Sequence, residues 1–166
     1  GAQSPLSRDE LNDLMDYGNE RMNSSACSLD PFRREVRVSA LTDEKVLLMT
    51  SCEAGAYNTI WLAWLVSRQR PYIAHPVRLT LPFQPPGDAP RDVELVNASY
   101  DDRHQELVTL DKGRAPGDCG IQTRWRYDGQ RFSLVRYAQQ PQCDNWQGPD
   151  AWPTLWVTRS VAHPLR

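Results

Sequence analysis

Long apolar runs, histidines and closely spaced cysteines are scarce in this chain, and each shortage closes off a class of protein. The longest uninterrupted apolar stretch is Ile60-Trp61-Leu62-Ala63-Trp64-Leu65-Val66, seven residues, whereas a helix crossing a bilayer needs about 20. No transmembrane helix is expected. The four cysteines, Cys27, Cys52, Cys119 and Cys143, form no C-x-x-C pair, the spacing in which structural zinc ligands usually arrive. The three histidines, His75, His104 and His163, are scattered and never stand at i, i+4, the spacing of a zinc-binding helix. No metal and no cofactor is expected. Net charge is only −2, from 19 Lys and Arg against 21 Asp and Glu, which gives no general attraction to nucleic acid or to anionic membranes.

What is present fits one domain over residues 1–166, since a chain of 166 residues buries roughly 70% of its unfolded surface. An even cysteine count without metal spacing points to two disulfides and an oxidising compartment, so the expected location is periplasmic or secreted. Three connectivities exist, and neighbour pairing is favoured. Cys27 with Cys52 and Cys119 with Cys143 close two loops of similar length, each around one expected β unit. The chain opens Gly-Ala-Gln-Ser without a Met, a basic segment or an apolar leader. That suits an engineered scar or a processed start, with a signal peptide or an upstream domain removed.

Ser7-Arg8-Asp9-Glu10 is a capping box flanked by the staple positions Leu6 and Leu11. It predicts a helix over 8–18, with Leu11, Leu14 and Met15 as its apolar stripe and Gly18 or Asn19 as its left-handed end. From Glu35 the period falls to two, and strands are expected at 36–40, 46–49, 60–66, 77–81, 93–98, 106–110, 122–127, 132–137 and 154–157. The fold class is therefore mostly β: an antiparallel sandwich or barrel of about eight or nine short strands with one N-terminal helix. Asp128-Gly129 predicts a two-residue type I′ hairpin that sets Trp125 opposite Phe132. Trp61 and Trp64 fall on opposite faces of their strand. The PFQPPGDAP stretch around Gly87 reads as a loop, and the tail after Trp156 as a frayed end.

Chemistry-bearing residues are few. Asp101, Asp102 and Glu106 around His104 offer paired carboxylates for acid and base work, although such residues between strands are more often a solvated turn. Cys119 is a nucleophile only if unbonded and beside a base, against which the even cysteine count weighs. In Lys112-Gly113-Arg114-Ala115-Pro116-Gly117-Asp118 the glycines let backbone N–H groups converge on an anion, and Arg114 has the fork to grip a carboxylate or phosphate. The plainer alternative pairs Arg114 with Asp118 to hold a tight turn. Trp146, Trp152 and Trp156 crowd the C-terminal region, either as an exposed row for sugars or peptides or, more commonly, as core packing.

Several strings occur together in order: Cys52-Glu53-Ala54-Gly55-Ala56-Tyr57-Asn58, Val96-Asn97-Ala98, Lys112-Gly113-Arg114, Gly117-Asp118-Cys119-Gly120, Trp125-x-Tyr127-Asp128-Gly129-x-x-Phe132-x-Leu134, and Cys143 followed by Trp152-Pro153-x-x-Trp156. As a set they resemble the bacterial family called domain of unknown function 1176, over most of residues 27–157. The resemblance implies an exported protein of Gram-negative bacteria, without an assigned activity, and a chain that forms the C-terminal part of a longer precursor. Asp144-Asn145 departs from the basic or glycine residue common there, so no ligand role is carried to that loop. Gly55-Ala56-Tyr57 has a thin likeness to the Ser-Gly-x-x-Tyr string of periplasmic lysozyme inhibitors.

The leading expectation is a non-catalytic binding or interaction module for an envelope protein or glycan, with a surface made by Tyr57, Asn58, Arg114 and Asp118. The alternatives are an envelope hydrolase acting on cell-wall sugars or peptides, motivated by the loop carboxylates and tryptophans, and a lysozyme-inhibitor-like protein.

Overall fold

In the computed structural model, which describes residues 4–144 and 147–158, the capping box starts the helix where expected. The Glu10 N–H donates to Ser7 Oγ and the Ser7 N–H to Glu10 Oε1, both at 3.1 Å. The helix α1 spans Arg8–Ser24, running past Gly18 rather than ending there. A Cβ at Gly18 would lie 2.5 Å from Val36 Cγ1 and 2.9 Å from Leu48 Cδ1. Gly18 is thus the point of closest approach of helix to sheet, and its missing side chain serves packing instead of a cap. The buried face is Leu14, Gly18 and Met22, one residue per turn at i, i+4. Leu11, expected in the stripe, is exposed.

Four strands follow as one antiparallel sheet in chain order: β1 Val36–Ala40, β2 Lys45–Ala54, β3 Thr59–Ser67 and β4 Ala74–Pro76. The first hairpin pairs Ala40 with Val46 and Val36 with Thr50, in the expected segments. Strand β2 is apolar on both faces because it is covered on both. Val46 and Leu48 pack with Leu14, Trp64 and Val66 beneath α1, while Leu47 and Met49 join Trp61, Leu107, Trp125 and Tyr137 in the core between sheets. Trp61 and Trp64 do point to opposite faces, and a layer covers each of them.

The expected strand at 77–81 is split. Val77 still donates its N–H to the Ala63 carbonyl of β3 at 2.8 Å; beyond it the chain leaves β3, and β5 Leu79–Thr80 pairs with β6 Asp92–Val93 instead. The proline-rich loop joins these two short strands, turning through positive φ at Gly87 and Asp88. Only the start of the expected 93–98 strand is regular, followed by an isolated bridge from Val96 to Ile60. The second large sheet contains β7 Ser99–Asp101, β8 Glu106–Lys112, β9 Gly120–Tyr127, β10 Phe132–Gln140 and β11 Thr154–Val157, in the order β11-β10-β9-β8-β7. The result is a sandwich of two antiparallel sheets with α1 on the outer face of the first.

The β9–β10 hairpin closes by a four-residue loop, so Trp125 faces Leu134 and Tyr127 faces Phe132. Asp128 is not at positive φ. Its carboxylate instead accepts from the N–H groups of Gln130 and Arg131 at 2.9 and 3.0 Å, an Asx turn that competes with the type I′ geometry. Trp125 is fully buried and donates its indole N–H to Thr123 Oγ1 at 2.7 Å.

Both disulfides join sequence neighbours, Cys27 to Cys52 and Cys119 to Cys143. Cys52 is the extra residue of a bulge in β2, where pairing with β3 jumps from Ser51 to Glu53; a bulge re-aims a side chain out of the ladder. Cys119 and Cys143 tie the open end of the β9–β10 hairpin. Among the described residues no helix is long and apolar enough to cross a membrane.

Candidate functional site

The sequence-predicted surface lies at the disulfide end of the second sheet. Asn58 accepts from Asn97 Nδ2 at 2.7 Å and from the Lys112 N–H at 3.1 Å, and donates to the Lys112 carbonyl at 3.0 Å. Asn97, held at positive φ, donates to the Leu110 carbonyl and accepts from the Thr59 N–H. This asparagine pair fastens β3 to β8. Arg114 grips Asp118 through Nε at 2.8 Å and through Nη2, which also reaches the Cys143 carbonyl. The Arg114 hydrogen bond holds the Asp118 carboxyl below its usual range. The 55–58 turn and the 112–118 loop therefore do meet, but their polar groups are occupied with one another. Tyr57, 39% exposed, is the side chain left reaching outward. Asp118, Cys119 and Cys143 place donor atoms within 4.8 Å of each other; both sulfurs are spent in the disulfide.

Of the acidic cluster, Asp101 and Glu106 are likewise neutralised, while Asp102 is exposed on the turn between β7 and β8. Asp101 accepts from the His104 N–H at 3.2 Å, lies 2.8 Å from His104 Nδ1, and meets Arg124 at 3.1 Å. The His104 contacts, then Arg124, hold its carboxyl far below the usual range. Glu106 is buried and paired with Arg124 at 3.1 Å and Arg126 at 2.6 Å. Arg124 also binds Asp150, on the turn Pro149–Ala151, whose backbone carbonyls at Pro149 and Asp150 accept from Arg136. This lattice covers the outer face of β8, β9 and β10. Acid and base chemistry needs two carboxyls of different protonation, and Asp101, so held, is no proton donor at neutral pH.

The lattice has a pH signature. Carboxyls depressed in the folded state, such as Asp101, Asp118 and Asp150, contribute stability that is present above the ordinary value of about 3.9. It is lost as pH falls through their lower folded values. Asp111 runs oppositely: partial desolvation pushes its carboxyl up, but only modestly, since the residue stays exposed and its carboxylate accepts from Asn58 Nδ2 at 3.4 Å. Its ionisation opposes folding once pH exceeds the ordinary value. The urea midpoint is expected to hold from pH 7 to about 5 and to fall below about 4.

The tryptophans follow the commoner expectation of packing: Trp152 is 2% exposed and Trp156 is partly buried against the core, while Trp146 lies outside the described residues, as do His163 and the tail from 159. Trp156 nevertheless has a different role. It stacks on Phe83 with centroids 6.2 Å apart, and Phe83 meets Tyr137 edge-on at 5.3 Å.

Beside that stack runs a groove of about 670 Å³, lined from β4, β5, the start of β10 and β11. Since β4 and β11 are the edge strands of their sheets, the groove opens where the sandwich is left uncovered along one side. Leu65, Leu81, Phe132, Leu134 and Trp156 supply apolar walls, and His75, Arg78, Arg91 and Arg131 supply polar ones. Sequence reasoning missed this set. Its one local signal was the outward position of Arg78 and Thr80 beside the inward Leu79 and Leu81.

Comparison with known proteins adds kinship without chemistry. Residues 1–159 match the family model described as "Protein of unknown function (DUF1176)". The chain is 66% identical over 156 residues to "Uncharacterized protein YpfG" of Escherichia coli (strain K12), covering 94% of this chain and 45% of that protein. It thus spans about half the length of the relative it matches. No solved structure matches.

Proposed function

Because the chain belongs to the DUF1176 family, whose description assigns no activity, we propose a function from the groove itself: a non-catalytic binding module acting outside the cytoplasm. Two disulfides in one chain support an oxidising compartment, periplasmic or extracellular. The observation that carries the binding role is the groove between the open edges. Its volume of about 670 Å³ falls within the roughly 300–1,000 Å³ of small-molecule sites, and its walls combine an aromatic wedge with a few polar groups, as such sites do. The disulfide end, by contrast, has satisfied its own polar groups, which leaves Tyr57 there as a secondary contact.

N-phenyl-1-naphthylamine, a neutral probe that brightens in apolar surroundings, tests this. Saturable binding is expected, weakened at least about tenfold by Trp156→Ala, because burying a large apolar side chain is worth about 1.5–3 kcal/mol. Trp156→Phe should retain most of it, which separates loss of the wall from loss of folding. Absence of saturable binding, or binding indifferent to Trp156→Ala in a protein that melts normally, would overturn the groove reading. Turnover of cell-wall or ester substrates by the purified protein would overturn the non-catalytic part.

A further inference from the structure

We infer that the ligand of this groove is a small amphipathic anion: one carboxylate, sulfonate or phosphate group, bound at Arg78 and Arg131, on an apolar body laid against Trp156, Phe132 and Leu134. The inference rests on the reading of the groove as a ligand site. It adds the charge.

The first ground is charge complementarity. Acidic residues outnumber basic ones in the chain, 21 against 19, yet the groove is lined by three arginines and a histidine and by no Asp or Glu among the described residues. The second ground is what those arginines are doing. Elsewhere many guanidinium groups are engaged: Arg68, Arg70, Arg114, Arg124 and Arg126 each pair with a carboxylate, and Arg136 binds Gln122 and three backbone carbonyls; Arg8, Arg33 and Arg103 are unpaired among the described residues too, but they are exposed and line no groove of this size. In the groove, Arg91 spends its fork on the Leu81 carbonyl, at 3.1 Å from Nε and 2.8 Å from Nη2. The side chains of Arg78 and Arg131 make no hydrogen bond and no ion pair among the described residues; Arg131 acts on the Asp128 carboxylate only at longer range, after the backbone hydrogen bonds there.

Two guanidinium groups without partners beside an apolar wall invite a ligand with both characters. A guanidinium forks onto carboxylate or phosphate through paired N–H donors. The apolar wall excludes water from one side and thereby strengthens the pairing. A long hydrophilic polyanion fits poorly, because Leu65, Leu81, Phe132, Leu134 and Trp156 would face its charged groups and burying unpaired charge is costly.

A matched pair of probes separates this inference from the groove reading. 8-Anilinonaphthalene-1-sulfonate is N-phenyl-1-naphthylamine carrying a sulfonate, so the two share one apolar body and differ by the anion. Hydrogen bonds to charged groups are about twice as strong as those between neutral ones. The Arg78→Gln/Arg131→Gln double variant should therefore bind the sulfonate probe at least about tenfold more weakly and the neutral probe within about twofold of the unaltered protein. Arg78→Lys, which keeps the charge, should lose less than Arg78→Gln, and added salt should weaken the sulfonate probe selectively. Equal weakening of both probes, or sulfonate binding indifferent to the double variant, would overturn the anion while leaving the groove reading standing. Failure of both probes to bind the unaltered protein would remove the two together.

Discussion

Replacing Cys119 and Cys143 together by serine is expected to lower the unfolding free energy by about 3.5 kcal/mol, read as a drop in the urea midpoint. The bond links residues 24 apart in sequence, and closing a loop of that length removes roughly this much unfolded-chain entropy. The position adds to it. Cys119 is buried at 2% exposure, and the loop between it and β8 rests on it: the Gly113 N–H donates to the Cys119 carbonyl at 3.0 Å, and Arg114 reaches the Cys143 carbonyl. Releasing the bond frees the open ends of β9 and β10 together with that loop. The groove lies toward the other end of β9, by the 128–131 turn, so the neutral probe should still bind in buffer where the variant remains folded. A loss below about 1 kcal/mol, outside the range usual for a native disulfide in a small domain, would show that the bond does not organise this end.

Gly120→Ala should cost about 3 kcal/mol or more, in contrast to Gly129→Ala at about 1 kcal/mol. Both glycines sit at positive φ, +138° and +103°, so both substitutions strain the backbone. Only Gly120 has something in the way. A Cβ there would fall 2.1 Å from the Asp111 carbonyl oxygen and 3.1 Å from the Asp111 carbonyl carbon, in the neighbouring strand. A flexible side chain could swing aside, but this obstacle is paired backbone, with Lys112 facing Gly120 in the β8–β9 ladder. At Gly129 nothing lies within 4 Å. Comparable midpoints for the two variants would contradict the close approach of β8 to β9.

Much of this architecture could be read from local chemistry. The capping box, the first hairpin, the 154–157 strand and the neighbour-paired cysteines each depend on residues close in sequence, and each is present. The expectations that failed share a cause. A glycine near the end of an amphipathic run signals a cap or a close contact equally well, and at Gly18 the sheet beneath the helix decides. Asp128 offers its carboxylate to two backbone N–H groups, and that bond displaces the tighter turn expected of Asp-Gly. The 77–81 segment alternates like one strand, but β3 holds the chain through Val77 and β6 claims Leu79 and Thr80.

The candidate site was less visible for a geometric reason. His75, Arg78, Arg131 and Trp156 come from four separate stretches, and only the packing of the two sheets brings their side chains to one groove. Unpaired charge is also a property of the fold. Arg114 and Arg78 look alike in a sequence, yet one is spent on Asp118 and the other faces open space. Glycine-punctuated loops marked the disulfide end as a surface, but Arg114 meets Asp118 four residues on and the fold brings Asn58 to Asn97 and Lys112, so these groups satisfy one another.

The most direct test is hydrogen–deuterium exchange with and without 8-anilinonaphthalene-1-sulfonate at saturating concentration. Slower exchange is expected in 74–82, 130–134 and 154–158, the segments that line the groove, with little change in 55–58 and 112–118. Protection confined to the latter two segments would place the ligand at the disulfide end and contradict the groove as the binding site.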